Sequence, residues 1–197
     1  MSLFSIPSIV FDPLSGTING VTPQERRLSD LKGYFSDSTA YSTLLSQSNP
    51  VIYSVSGVEP AQGDGQMHYG IGVIASGQVG AEYFMTKGHF HAWRPAAEVY
   101  IGLSGEGCML LEDESTGEEK LLPLNTNNIV YVPGFTAHRT INTGNTPLVY
   151  IGIYPAAAGH DYGLIAVRNF QSVLINVGGQ PTLLKREQFS LSLSIAP

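Results

Sequence analysis

The feature that most constrains this chain is the change of period after Pro50. From there short β-prone runs follow one another at near-even spacing: Val51–Val55, Met67–Ala75, Glu82–Thr86, Glu98–Leu103, Cys108–Glu112, Lys120–Leu124, Ile129–Val132, Leu148–Tyr154 and Ser172–Val177. Glycine and asparagine punctuate them, as at Gly63-Asp64-Gly65, Ser104-Gly105, Thr143-Gly144 and Gly178-Gly179. Many short strands joined by tight turns form an all-β sandwich or barrel, and 22 Gly, 12 Pro and ten Tyr suit that architecture.

Before Pro50 the pattern differs. Residues 1–20 read as an extended arm. Thr22-Pro23, a cap residue followed by proline at the first helical position, predicts a helix over Gln24–Leu31. A second short helix is expected over Asp37–Leu45, capped by Asp37 or Ser38. The expected organisation is an arm with short helices packing on the barrel (1–50), the barrel itself (51–189) and a disordered C-terminal tail (190–197).

Hydrophobic residues make up 43% of the chain and charged residues 13%, against a usual charged share of about 25%. So little surface charge points to a partner subunit, and a homodimer is expected. The net charge of −6 argues against nucleic acid or an anionic membrane, both of which need clustered Lys and Arg. Cys108 is the single cysteine, so no internal disulfide can form, and its apolar strand predicts a buried thiol. Met1–Phe11 lacks the basic start of a signal peptide, and no stretch nears the roughly 20 apolar residues of a membrane helix. The expected location is cytoplasmic.

The chemistry concentrates in His89-Phe90-His91. On a strand, residues i and i+2 face the same way, so both imidazoles point to one side while Phe90 packs on the other. A turn through Arg94-Pro95-Ala96 leads to Glu98 and Tyr100 on one face of the next strand. If that strand pairs antiparallel with the first, Glu98 lies beside the histidines. His138 follows the turn at Pro133-Gly134. Three imidazoles and a carboxylate suit one divalent transition ion (iron, manganese, nickel, cobalt or zinc) and leave two octahedral positions for substrate oxygens. The competing reading has these histidines as surface or core residues held by hydrogen bonds.

The pattern His89, His91, Glu98, Gly105, followed by Pro133, His138 and Asn142, resembles the two motifs of the cupin superfamily. Six residues separate His91 from Glu98, more than in common cupins, and Phe135 and Asn127 stand where motif glycines are usual. The longer spacing, with Thr86-Lys87-Gly88-His89-Phe90-His91, Ala137-His138-Arg139-Thr140-Ile141-Asn142 and Gly159-His160-Asp161-Tyr162-Gly163, resembles the cupin-type glucose-6-phosphate isomerases of archaea and some bacteria over residues 24–188. The resemblance implies a double-stranded β-helix barrel and a homodimer. It implies interconversion of glucose 6-phosphate and fructose 6-phosphate on a bound metal, most often iron(II). It makes His89, His91, Glu98 and His138 the metal ligands. Glu98, the candidate base near C1 and C2, and Tyr100, which shares its face, are the expected catalytic residues. Thr86 and Gly88 flank the metal strand and offer a hydroxyl and a backbone N–H to the phosphate. The resemblance carries Tyr53, His160 and Tyr162 to the hexose 6-phosphate substrate, and Tyr100 and Tyr154 to the walls of its site. Where it leads one to expect a phosphate-binding threonine on the preceding strand, this chain has Gly72.

Other readings stay open at this level: an isomerase of another sugar phosphate such as mannose 6-phosphate, a cupin dioxygenase, or a metal-containing sugar sensor without turnover. Aldose–ketose isomerisation runs by proton transfer with a base near C1 and C2, or by a metal-assisted hydride shift. Strand parity sets Lys87 opposite Thr86 and Gly88, facing solvent or an interface. The uneven spacing of Thr86, Gly88 and His89 predicts a twist or bulge. Glu112–Glu119 reads as a solvated hairpin tip, and Trp93 and Arg94 are expected to shape the mouth of the site.

Overall fold

The computed structural model describes residues 8–195. Residues 1–7, the start of the expected arm, and 196–197 of the tail lie outside the described residues.

Among the described residues, thirteen strands and three α-helices follow in order: β1 (Gln24–Arg27), α1 (Ser38–Gln47), β2 (Val51–Val58), β3 (Met67–Ile74), β4 (Gln78–Val79), β5 (Glu82–Tyr83), β6 (Glu98–Ser104), β7 (Gly107–Asp113), β8 (Glu119–Pro123), β9 (Ile129–Val132), β10 (Thr136–Asn142), β11 (Leu148–Pro155), α2 (Gly163–Arg168), β12 (Ser172–Val177), β13 (Gln180–Lys185) and α3 (Arg186–Ile195). One wall is a six-stranded sheet ordered β1-β2-β3-β11-β6-β9. The other combines β10-β7-β8 with β13-β12-β5-β4, linked by a bridge between Met85 and Ile141. The result is the all-β cupin barrel.

Alternation along the central strands sorts the residues between two clusters. Ile74, Tyr100, Leu148 and Tyr150 face inward and join Phe90, Met109 and Leu124 in the main core. Ile71 and Val149 face outward and are covered by Ile9, Phe11, Ile18 and Val21. The described part of the arm therefore packs on its own barrel. It is not extended throughout: Phe11 bridges Ile18 in a small hairpin.

Several expectations are corrected. Gln24–Arg27 is a strand, not a helix, because Gln24 to Arg26 pair with Val55 to Tyr53 across the sheet edge. Only Leu28–Leu31 coils, as one 3-10 turn that buries both leucines. The second helix forms as expected, with Asp37 Oδ1 accepting from Ala40 N at 2.8 Å. The tail is helix α3 through Ile195, since Phe189 and Leu193 pack on Val173 and Ile175. Strand β10 was not among the expected runs, yet every one of its residues is buried. The Glu112–Glu119 hairpin is solvated only at its tip. Glu112 is buried against Arg168, and Glu119 accepts from Ser172 N at 2.9 Å and Lys185 Nζ at 2.7 Å. Cys108 is half-buried rather than buried.

Candidate metal centre

Two walls converge on the site. Glu98 opens β6 in the six-stranded sheet, and His138 sits in β10 on the facing wall. The segment carrying His89 and His91 does not pair with β6, as the alternation had led one to expect; β6 pairs with β11 and β9. Instead His89 bridges His138, and Phe90 bridges Asp161. The histidine segment is thus stitched to the wall opposite Glu98. The predicted irregularity before it is Gly88, whose φ is +73°.

One ligand atom from each of His89, His91, Glu98 and His138 lies within 4.8 Å of the others. Glu98 Oε2 is 3.2 Å from both His91 Nε2 and His138 Nε2. His91 Nδ1 bonds the Ala96 carbonyl at 2.9 Å, and His138 Nδ1 lies 3.3 Å from the Thr136 carbonyl. Each backbone carbonyl takes the Nδ1 proton and aims the Nε2 lone pair inward, the arrangement that orients ligating imidazoles. His89 Nε2 and His138 Nε2 are buried without a hydrogen-bond partner. Buried polar atoms are rarely left so, and a divalent ion fits what these two need.

The electrostatics agree. Burial, then the neighbouring His138, holds His89 well below the ordinary imidazole value, so it is neutral, the form that binds metal. Burial pushes the Glu98 carboxyl up, but the imidazoles of His138 and His91 beside it outweigh this and hold it at about 2. Burial opposes protonation of His91 too, and the Glu98 and Ala96 contacts reverse it upward. Tyr100 is pushed well above its usual value by burial and by the Glu98 carboxylate it faces, so it stays a protonated donor.

The centre lies in the wall of a cavity of about 680 Å³, open solvent at its mouth included. Tyr53, Thr86, Gly88, Tyr100, Tyr154, His160 and Tyr162 all line it with His89, Glu98 and His138, while His91 sits behind. His160 stacks on Tyr162, and its ring centroid is 4.4 Å from that of His89. Thr86 Oγ1 accepts the Thr140 N–H at 3.1 Å, leaving its own proton free to donate into the cavity.

Lys87 also lines the cavity, against expectation, because the turn at Gly88 breaks strand parity; its Nζ lies 5.7 Å from the Tyr34 ring centroid. Behind it, fully buried Arg139 donates to the Lys87 carbonyl at 2.6 Å and to Asn169 Oδ1 at 2.7 Å. Neither Trp93 nor Arg94 lines the cavity. Arg94 instead clamps the His160 loop, reaching Asp161 at 2.6 Å and Glu114 at 2.7 Å. Sequence reading also missed Thr140, Tyr150 and the bare positions Gly70 and Gly152, whereas Gly72, which stands where a phosphate-binding threonine was expected, does line the cavity. The signal for Tyr150 was its parity with Tyr154 on β11.

An antiparallel barrel with three histidines and a glutamate converging between its walls defines a cupin protein with a site fit for a divalent transition ion. Solved structures share the fold: an oxalate decarboxylase–formate complex from Lactobacillus farciminis (TM-score 0.50, 15% identity, 73% of this chain and 33% of that chain) and an oxalate oxidase (TM-score 0.50, 13%, 76% and 69%). Residues 25–188 match the family Glucose-6-phosphate isomerase (GPI). The glucose-6-phosphate isomerases of Pyrococcus horikoshii and Thermococcus kodakarensis are each 46% identical over 166 residues, 84% of this chain and 87% of theirs. A putative glucose-6-phosphate isomerase 2 of Rhizobium meliloti is 35% identical, covering 85% of this chain and 84% of its own. The chain belongs to the glucose-6-phosphate isomerase family.

Proposed function

We propose that this chain interconverts glucose 6-phosphate and fructose 6-phosphate on one divalent transition ion, iron(II) foremost, held by His89, His91, Glu98 and His138. The carrying observation is the position of the four-ligand cluster: His89, Glu98 and His138 line a cavity whose other walls carry tyrosine and threonine hydroxyls beside Lys87. Such an ion, when bound, supplies a Lewis acid to neighbouring sugar oxygens. The chain's own residues do the rest. Tyr100 keeps its proton beside Glu98 and donates to charge developing on the sugar. Thr86 and the Gly88 N–H receive the phosphate, with Tyr53, Tyr154, His160 and Tyr162 enclosing the sugar. Lys87 supplies the local positive charge that an anionic substrate needs in a chain of net charge −6.

Glu98 Oε2 lies 3.2 Å from both His91 Nε2 and His138 Nε2, so Glu98 serves as a ligand while it stays between the imidazoles, and this favours the hydride route. Relatives named glucose-6-phosphate isomerase at 46% identity argue against a dioxygenase. A homodimer belongs to the same proposal: Ile129 and Tyr131 on edge strand β9, with Phe135 beyond it, are 70%, 60% and 52% exposed. No helix among the described residues is long and apolar enough to cross a membrane.

The test is turnover on a panel of hexose 6-phosphates with singly metal-loaded protein. Conversion of glucose 6-phosphate well above mannose 6-phosphate is expected. Binding of the panel without turnover of any member would replace the isomerase with a sensor.

A further inference from the structure

We propose that the Tyr150 hydroxyl is a ligand for the substrate phosphate, and that Gly72 is the residue that makes room for it. The inference rests on the isomerase reading for the identity of the substrate, while the geometry is independent of it.

Tyr150 faces inward on β11, directly opposite Gly72 on β3 and Gly102 on β6. Neither directly opposite position carries a side chain, and the nearest ring on β6 is that of Tyr100, with its centroid 5.5 Å from that of Tyr150. Its ring leans over β3: a Cβ built on Gly72 would sit 2.2 Å from Tyr150 Cζ and 2.4 Å from its Oη. The hydroxyl end of the ring thus fills the volume that any side chain at position 72 would claim. Position 72 and Tyr150 are one steric unit, and only one of them can put a polar group there.

The hydroxyl lies at the right end of the cavity. Gly152, two positions further along β11, is where Glu98 enters: a Cβ there would be 2.7 Å from Glu98 Oε1. Two strand positions span about 7 Å. That is comparable with the reach of a hexose 6-phosphate from C1 and C2 to its phosphate. With the sugar carbonyl at the Glu98 end, the phosphate falls beside Tyr150. Thr86 and Thr140 line the same cavity from the opposite wall. Burial pushes the Tyr150 hydroxyl well above its usual value, so it remains an O–H donor, which a phosphate dianion accepts from.

The experiment measures binding of inorganic phosphate and of sorbitol, a hexitol without phosphate, to metal-loaded protein by calorimetry, alongside steady-state kinetics. Tyr150→Phe keeps the ring over Gly72 and removes only the hydroxyl. It should weaken phosphate binding and raise KM for glucose 6-phosphate by about 10-fold, the loss of one hydrogen bond to a charged group. Sorbitol binding and kcat should hold. Gly72→Thr should weaken phosphate binding too, by displacing Tyr150. The double variant Gly72→Thr/Tyr150→Leu, whose shorter side chain clears the ring atoms that a Cβ at position 72 would meet and leaves the threonine to supply a hydroxyl from β3, should recover most of the loss. Unchanged phosphate binding in Tyr150→Phe, or an equal loss for sorbitol, would overturn the inference while leaving isomerase activity intact. Wild type that binds phosphate through Tyr150 yet turns over no hexose 6-phosphate would keep the inference and remove the isomerase reading instead.

Discussion

Gly88→Ala tests the turn that delivers His89. Gly88 has φ +73°, and an added Cβ would meet Phe170 Cε2 at 2.6 Å, the His138 carbonyl at 3.0 Å and Arg139 Cβ at 3.1 Å. The left-handed conformation costs an alanine about 1–2 kcal/mol. Phe170 and Arg139 are fully buried and stacked on each other at 4.4 Å, so neither can yield freely. Overpacking of this kind adds about 1–3 kcal/mol, for a total of about 2–5 kcal/mol. Gly178→Ala is the control. Gly178 has φ +58° in the β12–β13 turn with nothing within 4 Å, so only the conformational cost applies. Urea unfolding of both metal-free variants gives the difference directly, and it isolates the packing contribution. Gly88→Ala should also hold less metal, because Gly88 positions His89. Equal destabilisation by the two substitutions would refute the close packing of this turn.

Glu98→Gln keeps the shape of the ligand and removes its charge; turnover should fall only as far as metal content falls, and wild type in heavy water should retain the C2 hydrogen. Incorporation of solvent deuterium, with a loss of about 10² to 10⁴-fold in fully loaded Glu98→Gln, would instead make Glu98 the base. Bonds from Arg94 first, then the Gly163 N–H, hold Asp161 below the usual carboxylate range. Its contribution to stability is therefore present above the unfolded value of about 4 and lost as pH falls through the lower folded one. Asp161→Asn should cost about 0.5–1 kcal/mol at pH 7, the figure for a partly exposed pair, and less at pH 3. An equal cost at both pH values in paired urea titrations would contradict the Arg94 clamp.

The cluster of His89, His91, Glu98 and His138 was legible because chemistry and period coincide at these residues. The pairing that joins them was not. Alternation shows which way a residue faces but not which strand lies beside it, so the bridge from His89 to His138 could not be read from spacing alone. Strand β10 hid for a related reason. Thr136–Asn142 looks polar, yet it is buried because its polar groups find partners from distant segments: Arg139 on Lys87 and Asn169, and Asn142 on the Ile74 and Thr146 carbonyls. Gln24–Arg27 shows tertiary context overriding propensity, since helix-forming residues became an edge strand when β2 supplied a partner. The tail could have been read better: Phe189 and Leu193 stand four apart, the spacing of one helix face.

The most direct test of the account is metal removal and return. Chelator-stripped protein should lose conversion of glucose 6-phosphate to fructose 6-phosphate, and about one equivalent of iron(II) per chain should restore it in wild type but not in His138→Ala, which lacks one of four ligands. Stripped protein that turns over substrate as fast as the reloaded enzyme, or wild type that retains no transition ion after loading, would contradict a metal-dependent isomerase at this site.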